Sequence, residues 1–184
     1  HILSGALGCS LSGFSFETLR LTVLFWSAVS LVSTWFLVRQ VGATLGLRVL
    51  TVLLIAINPL FFSLSNSFMT DITGLALSTF AVLEFANFFR TKLQLHWWLA
   101  LLALVLSVLT RQAMLVTGLG FAITYIAFNK RSFKNFAVAF SPLLISGVAF
   151  VMWQFFIERT FGPVFGVVAD AQYFKQCLMG FPLI

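Results

Sequence analysis

Charge is what this sequence has least of: only 9% of its 184 residues are Asp, Glu, Lys or Arg, and only five of them are acidic. Soluble proteins carry roughly a quarter charged residues, so no polar shell can be built around this chain, and coiled coils and disordered tails are excluded on the same ground. Cysteine is as scarce. Cys9 and Cys177 are too few for a disulfide scaffold, they show no CxxC spacing for zinc, and two free thiols are the expected state, with a Cys9–Cys177 pair as the alternative. There is no Walker motif, GxSxG or GxGxxG, which argues against a nucleotide-driven pump and a hydrolase elbow; Gly118 and Gly120 read as helix-packing glycines. The chain opens on His1 with no initiating Met and no basic stretch before a short apolar core. A fragment or processed chain is expected, without a signal peptide.

What is present is apolar: 60% of residues are hydrophobic and the mean hydropathy is +1.04. A bilayer core about 30 Å thick needs roughly 20 such residues per helix. The expected fold is an all-α integral membrane protein, a polytopic bundle of about six transmembrane helices forming one domain over 1–184. The spans fall at about 21–38, 49–64, 72–89, 95–110, 113–128 and 136–157. The fourth and fifth are short and separated only by Arg111 and Gln112; a hairpin is preferred there over one long tilted helix, which would put Arg111 in mid-bilayer.

Alternating spans sort the charges. One side collects Arg39, Arg48, Arg90, Lys92, Lys130, Arg131 and Lys134 without an acid; the other sets Arg20, Arg111, Arg159 and Lys175 against Glu17, Asp71, Glu158 and Asp170. The positive-inside rule makes loops 39–48, 90–96 and 129–135 cytoplasmic, and leaves Asp71 and Arg111 exoplasmic. The net charge of +6 is thereby topology, and no basic stripe points to nucleic acid. Trp97, Trp98 and Trp153 fall near span ends, where amphipathic rings favour the headgroup region. His1 and His96 fall on opposite sides, so no zinc site is expected from them.

Ionisable groups in or beside hydrocarbon are costly, so each is a functional candidate with a plainer reading beside it. Asp71 closes the polar run Ser63-Leu-Ser-Asn-Ser-Phe-Met-Thr-Asp71; with Ser67 or Thr70 as cap it sits in a helix first turn, where the dipole favours a carboxylate. It is either part of a capped helix start or a carboxylate that assists proton transfer. Arg111 either completes a helix C-terminus or offers its donor fork to a phosphate. Glu84, about 20 Å along the helix from Asp71, is expected to be satisfied by Asn87 or Arg90, with a proton relay as the alternative. Pro59 removes a hydrogen bond to the Ile55 carbonyl and kinks the second span beside the Asp71 loop.

Asn58-Pro59-Leu-Phe-Phe, then Ser65-Asn-Ser-Phe-Met-Thr-Asp71, a long apolar helix, and Leu109-Thr-Arg111-Gln112 together resemble the membrane core of GT-C glycosyltransferases. The similarity is to protein mannosyltransferases and bacterial lipid-linked-sugar transferases of family 39, over about Arg20 to Phe128. The resemblance implies inverting transfer of a sugar from a polyprenyl-phosphate carrier to an unidentified acceptor at the exoplasmic face of the bilayer. It makes Asp71 the second acidic position of the family, read as catalytic, with Arg111, Gln112 and Asn66 binding substrate. It also implies that the first acidic loop of the family, along with helices at both ends, lies outside this sequence, since Glu17 does not match that loop. No cofactor is identified, and no ligand cluster supports a divalent metal. The alternatives are a secondary transporter, for which no internal repeat is visible, and a non-catalytic membrane scaffold. Convergence of Asp71 and Arg111 on one exoplasmic cavity is the structural expectation that separates them.

Overall fold

The computed structural model describes Ala6, Ser10 and residues 15–67, 70–128 and 133–161, without the side chains at 133, 134 and 161. Both cysteines, His1, Lys130, Arg131, Asp170 and Lys175 lie outside the described residues, and so do the expectations that rest on them.

The described chain is helical. In order it forms α1 (Phe16–Gln40), α2 (Leu45–Ile57), α3 (Pro59–Ser65), α4 (Thr70–Thr91), α5 (Gln94–Thr110), a 3-10 turn (Gln112–Met114), α6 (Leu115–Phe128) and α7 (Phe133–Phe161). An apolar helix lies over each of the six expected segments, with different ends. Three of them, α1, α4 and α7, are long and apolar enough to cross a membrane, and α2 with α3 forms a further apolar pair bent by 65°. The other two, α5 and α6, have 17 and 14 residues, or about 26 and 21 Å of helix.

Local chemistry sets the ends that hydropathy misplaced. α1 starts five residues before Leu21 because Ser15 caps it, its hydroxyl accepting from the Thr18 amide at 3.1 Å, with Glu17 in the first turn. The bend expected at Pro59 is a full break. Pro59 takes the first position of a new helix, where its missing N–H costs nothing, and Asn58 caps it by accepting from the Leu60 and Phe61 amides at 2.9 and 3.3 Å.

Cross-helix pairs give the directions. Ser107 lies on Gly74 and His96 on Glu84, so α5 runs antiparallel to α4. Thr117, Phe121 and Tyr125 lie on Ser78, Phe85 and Phe89, so α6 runs parallel to α4. Arg111 is therefore the tip of a hairpin, as expected. Val23 packs with Ile72 and Gln40 bonds Asn87, which aligns α1 with α4. One end of the bundle holds Glu17, Arg20, Asp71 and Arg111; the other holds Arg39, Arg48, Arg90 and Lys92.

The packing is inverted relative to a soluble protein. α1 turns Ser27, Ser30 and Ser33 inward and leaves Leu21, Leu24, Phe25 and Val32 exposed. Hydrocarbon supplies no hydrophobic force between helices, so small hydroxylated residues occupy the contact and large apolar ones face lipid. Ser27 donates to Ser65 of α3 at 3.0 Å. The main apolar core gathers Phe85, Phe88, Leu104, Val108 and Phe121 between α4, α5 and α6. Gly118 packs as expected, its missing Cβ lying 3.3 Å from the Leu143 backbone of α7; Gly120 faces open space and is not a packing glycine.

Candidate functional site

α4 and α5 place the site. Asp71 stands in the first turn of α4, where the helix dipole favours its charge. Forty residues on, α5 ends at Thr110, and Arg111 leaves the helix in extended conformation, φ −148° and ψ 113°. The two helices meet closely here because position 74 has no side chain: a Cβ on Gly74 would come 3.1 Å from Thr110 Oγ1 and 3.5 Å from Arg111 Cβ. Ser107 fixes the approach by donating to the Gly74 carbonyl at 2.8 Å.

The approach brings Arg111 onto the start of α4. Its Nη2 donates to Asp71 Oδ2 at 2.5 Å, and its Nε donates to Thr70 Oγ1 at 3.2 Å. The side chains are 47% and 29% exposed respectively, so the pair stands at the bundle surface with room for the arginine to move. Such a site offers a carboxylate able to take a proton, beside a cation able to meet an anion.

The other two expected binding residues do not join them. Asn66 ends α3, its side-chain amide donating to the Phe62 carbonyl at 2.9 Å; its polar group serves its own helix terminus. Gln112 is exposed at the start of the 3-10 turn. Ser67 does not reach Asp71 either, since its hydroxyl donates to Leu64. The cavities along α1 and toward the Arg39 end are not lined by Asp71 or Arg111. Direct pairing of Asp71 with Arg111 closes the space between them. Among the described residues no three His, Cys, Asp or Glu gather in a way that could hold a metal ion.

Thr70 is the site residue that sequence reading passed over as a ligand, considering it only as a cap. Its position beside Asp71, on the side a returning helix must reach, was the available signal. Gly74→Leu is expected to force α5 off α4, separate Arg111 from Asp71 and cost about 1–3 kcal/mol by overpacking. A fall in the detergent melting temperature, larger than for Gly120→Leu on open surface, checks this.

Glu84 forms the second polar cluster. It is 7% exposed; Asn87 Nδ2 donates to its Oε1 at 3.2 Å, His96 Nδ1 lies 2.6 Å from its Oε2, and Gln40 Nε2 donates to Asn87 Oδ1 at 2.6 Å. Asn87 was one of the two expected partners, with Arg90; His96 and Gln40 come from other helices and were not foreseen.

A family model described as dolichyl-phosphate-mannose-protein mannosyltransferase matches residues 4–157. No curated protein and no solved structure matches the chain.

Proposed function

The chain belongs to the dolichyl-phosphate-mannose-protein mannosyltransferase family, a GT-C family of membrane glycosyltransferases, and from that premise we propose that Asp71 and Arg111 form part of its transfer site. The reaction is transfer of a sugar from a polyprenyl-phosphate carrier to an acceptor hydroxyl at the exoplasmic face. The observation that carries the assignment is the contact of an acid and a base forty residues apart at one end of the bundle.

In an inverting displacement the acceptor oxygen bonds to the anomeric carbon while the bond from that carbon to the carrier phosphate breaks, the electron pair leaving with the phosphate. The acceptor proton goes to a base, here Asp71. Arg111 offers its donor fork to the phosphate oxygens and balances the charge that collects there. Base and leaving group lie on opposite faces of the reacting carbon, so two side chains in direct contact cannot flank it. The pair therefore represents the resting state: the carrier phosphate draws the half-exposed Arg111 off Asp71, and the sugar enters between them.

Carrier phosphate and acceptor meet on the side opposite the basic loops, which the positive-inside rule makes exoplasmic. A cysteine at Lys92 should react with impermeant maleimide only from the cytoplasmic side and one at Gln112 only from the other; the reverse pattern would overturn the orientation. For the reaction, the full-length protein in vesicles is offered a labelled polyprenyl-phosphate mannose with either a serine- and threonine-bearing peptide or a lipid-linked glycan. Label is expected to leave the carrier for one of the two acceptors. Complete retention on the carrier with both, in protein of unchanged helix content, would count against the reading.

A further inference from the structure

The opposite end of the bundle holds a polar cavity that the transfer reaction does not use. It measures about 520 Å³ and is lined by Phe36, Arg39, Gln40, Leu83, Asn87 and Arg90, from the C-terminal parts of α1 and α4. Topology accounts for arginines at this end, but not for their convergence on one space with two side-chain amides and no acid in its wall. Glu84, the nearest carboxylate along α4, does not line the cavity and is engaged by Asn87 and His96.

A second cavity, of about 430 Å³, adjoins the first. The two share Phe36 and Leu83, and the second runs between α1 and α4 past Val32, Val29, Phe80 and Phe25, almost wholly apolar. A cationic chamber at a helix end beside an apolar groove along the same helices matches a molecule with an anionic head and a hydrocarbon tail.

We propose that this composite cavity binds an anionic phospholipid, its phosphate between Arg39 and Arg90 and one acyl chain in the groove between α1 and α4. Basic pockets between transmembrane helices on the cytoplasmic side are suited to such head groups. The ends of α1 and α4 oppose an anion with about half a negative charge each, against two full positive charges. Gln40 donates one amide hydrogen to Asn87 and Asn87 one to Glu84, which leaves each a second. The site lies at the far end from Asp71, and the proposal rests on the membrane setting alone, independent of the transfer reaction.

Native mass spectrometry of the full-length protein, extracted from phosphatidylcholine vesicles containing phosphatidylglycerol, tests it. Phosphatidylglycerol should be retained over phosphatidylcholine, and Arg39→Gln or Arg90→Gln should each lower that retention about tenfold, the value of one charge-assisted contact. Arg48→Gln removes the same charge from the same end but borders neither cavity, its Nε donating to the Ala43 carbonyl at 2.8 Å; it should retain the lipid. Ala28 also lines the groove, and Ala28→Phe, which fills it away from the arginines, should lower retention as well. Equal loss in Arg48→Gln, or no preference for phosphatidylglycerol, would overturn the site. Displacement by millimolar inorganic phosphate with no effect of Ala28→Phe would make the ligand a free anion and overturn the lipid. Arg39 is exposed at the end of its helix, so its variant keeps the test decisive if Arg90→Gln fails to fold.

Discussion

Asp71→Asn in the full-length protein is expected to slow sugar transfer by about a hundredfold to ten-thousandfold, the usual contribution of a positioned general base, with little change in binding of the carrier. The amide keeps the size of the carboxylate, and its oxygen can still accept from Arg111 Nη2, so the contact that joins the start of α4 to the end of α5 survives while the proton acceptor is lost. Arg111→Gln should act differently, raising the KM for the carrier as well as lowering kcat, because a cation that meets the phosphate contributes before and during bond breaking. The exchange Asp71→Arg with Arg111→Asp separates chemistry from architecture. It preserves an ion pair between the same backbone positions and should recover most of the melting temperature lost in either single variant, yet leave transfer near the level of Asp71→Asn. Recovery of transfer in the exchange variant, or more than half of normal activity in Asp71→Asn, would reduce the pair to a helix-end contact and sink the assignment.

How much of this was legible beforehand depends on the range of the interactions involved. The membrane class follows from 9% charged residues, because no arrangement in space can alter composition. The break at Asn58 was written locally in Asn-Pro, one residue suited to cap a helix and the next suited to begin one. The start of α1 was equally local, in Ser15, but a hydropathy window passes over a cap that precedes the apolar run. Asp71 and Arg111 could be placed on one side by counting spans. Their contact could not be foreseen, because it depends on the close approach of Gly74 to Ser107 and Thr110, a matter of helix register that a single sequence does not display. Asn66 was placed with Asp71 by the resemblance, whereas its amide donates to the last turn of α3. For Glu84, the partner three residues along the same helix was readable and the one across the hairpin was not. The turn after α4, where Lys92 adopts φ +59° and returns the chain, sets the register that brings His96 back to position 84.

That register leads to the second large effect, which concerns stability. Gln40, Asn87, Glu84 and His96 link α1, α4 and α5 through one chain of polar contacts. Glu84 is buried, where water does not readily take over a lost partner. His96→Ala should therefore destabilise the protein by about 1.5–3 kcal/mol, the range for a hydrogen bond to a charged group. Glu84→Gln should cost less, about 1 kcal/mol, since the amide can still accept from Asn87 and bond the imidazole. Once Glu84 is Gln, removing His96 no longer strands a carboxylate, so the double variant should be more stable than the two single losses predict when added. The coupling, readable from unfolding in detergent, should fall within about 0.5–3 kcal/mol. Strict additivity would mean that the 2.6 Å contact between His96 and Glu84 carries no energy. The same variants decide whether the cluster acts in transfer. It lies at the far end of α4 from Asp71, so Glu84→Gln should transfer sugar at close to the normal rate per folded molecule. A Glu84→Gln protein of unchanged melting temperature that had lost transfer would instead make the cluster a proton path running the length of α4, and Asp71 would not be acting alone.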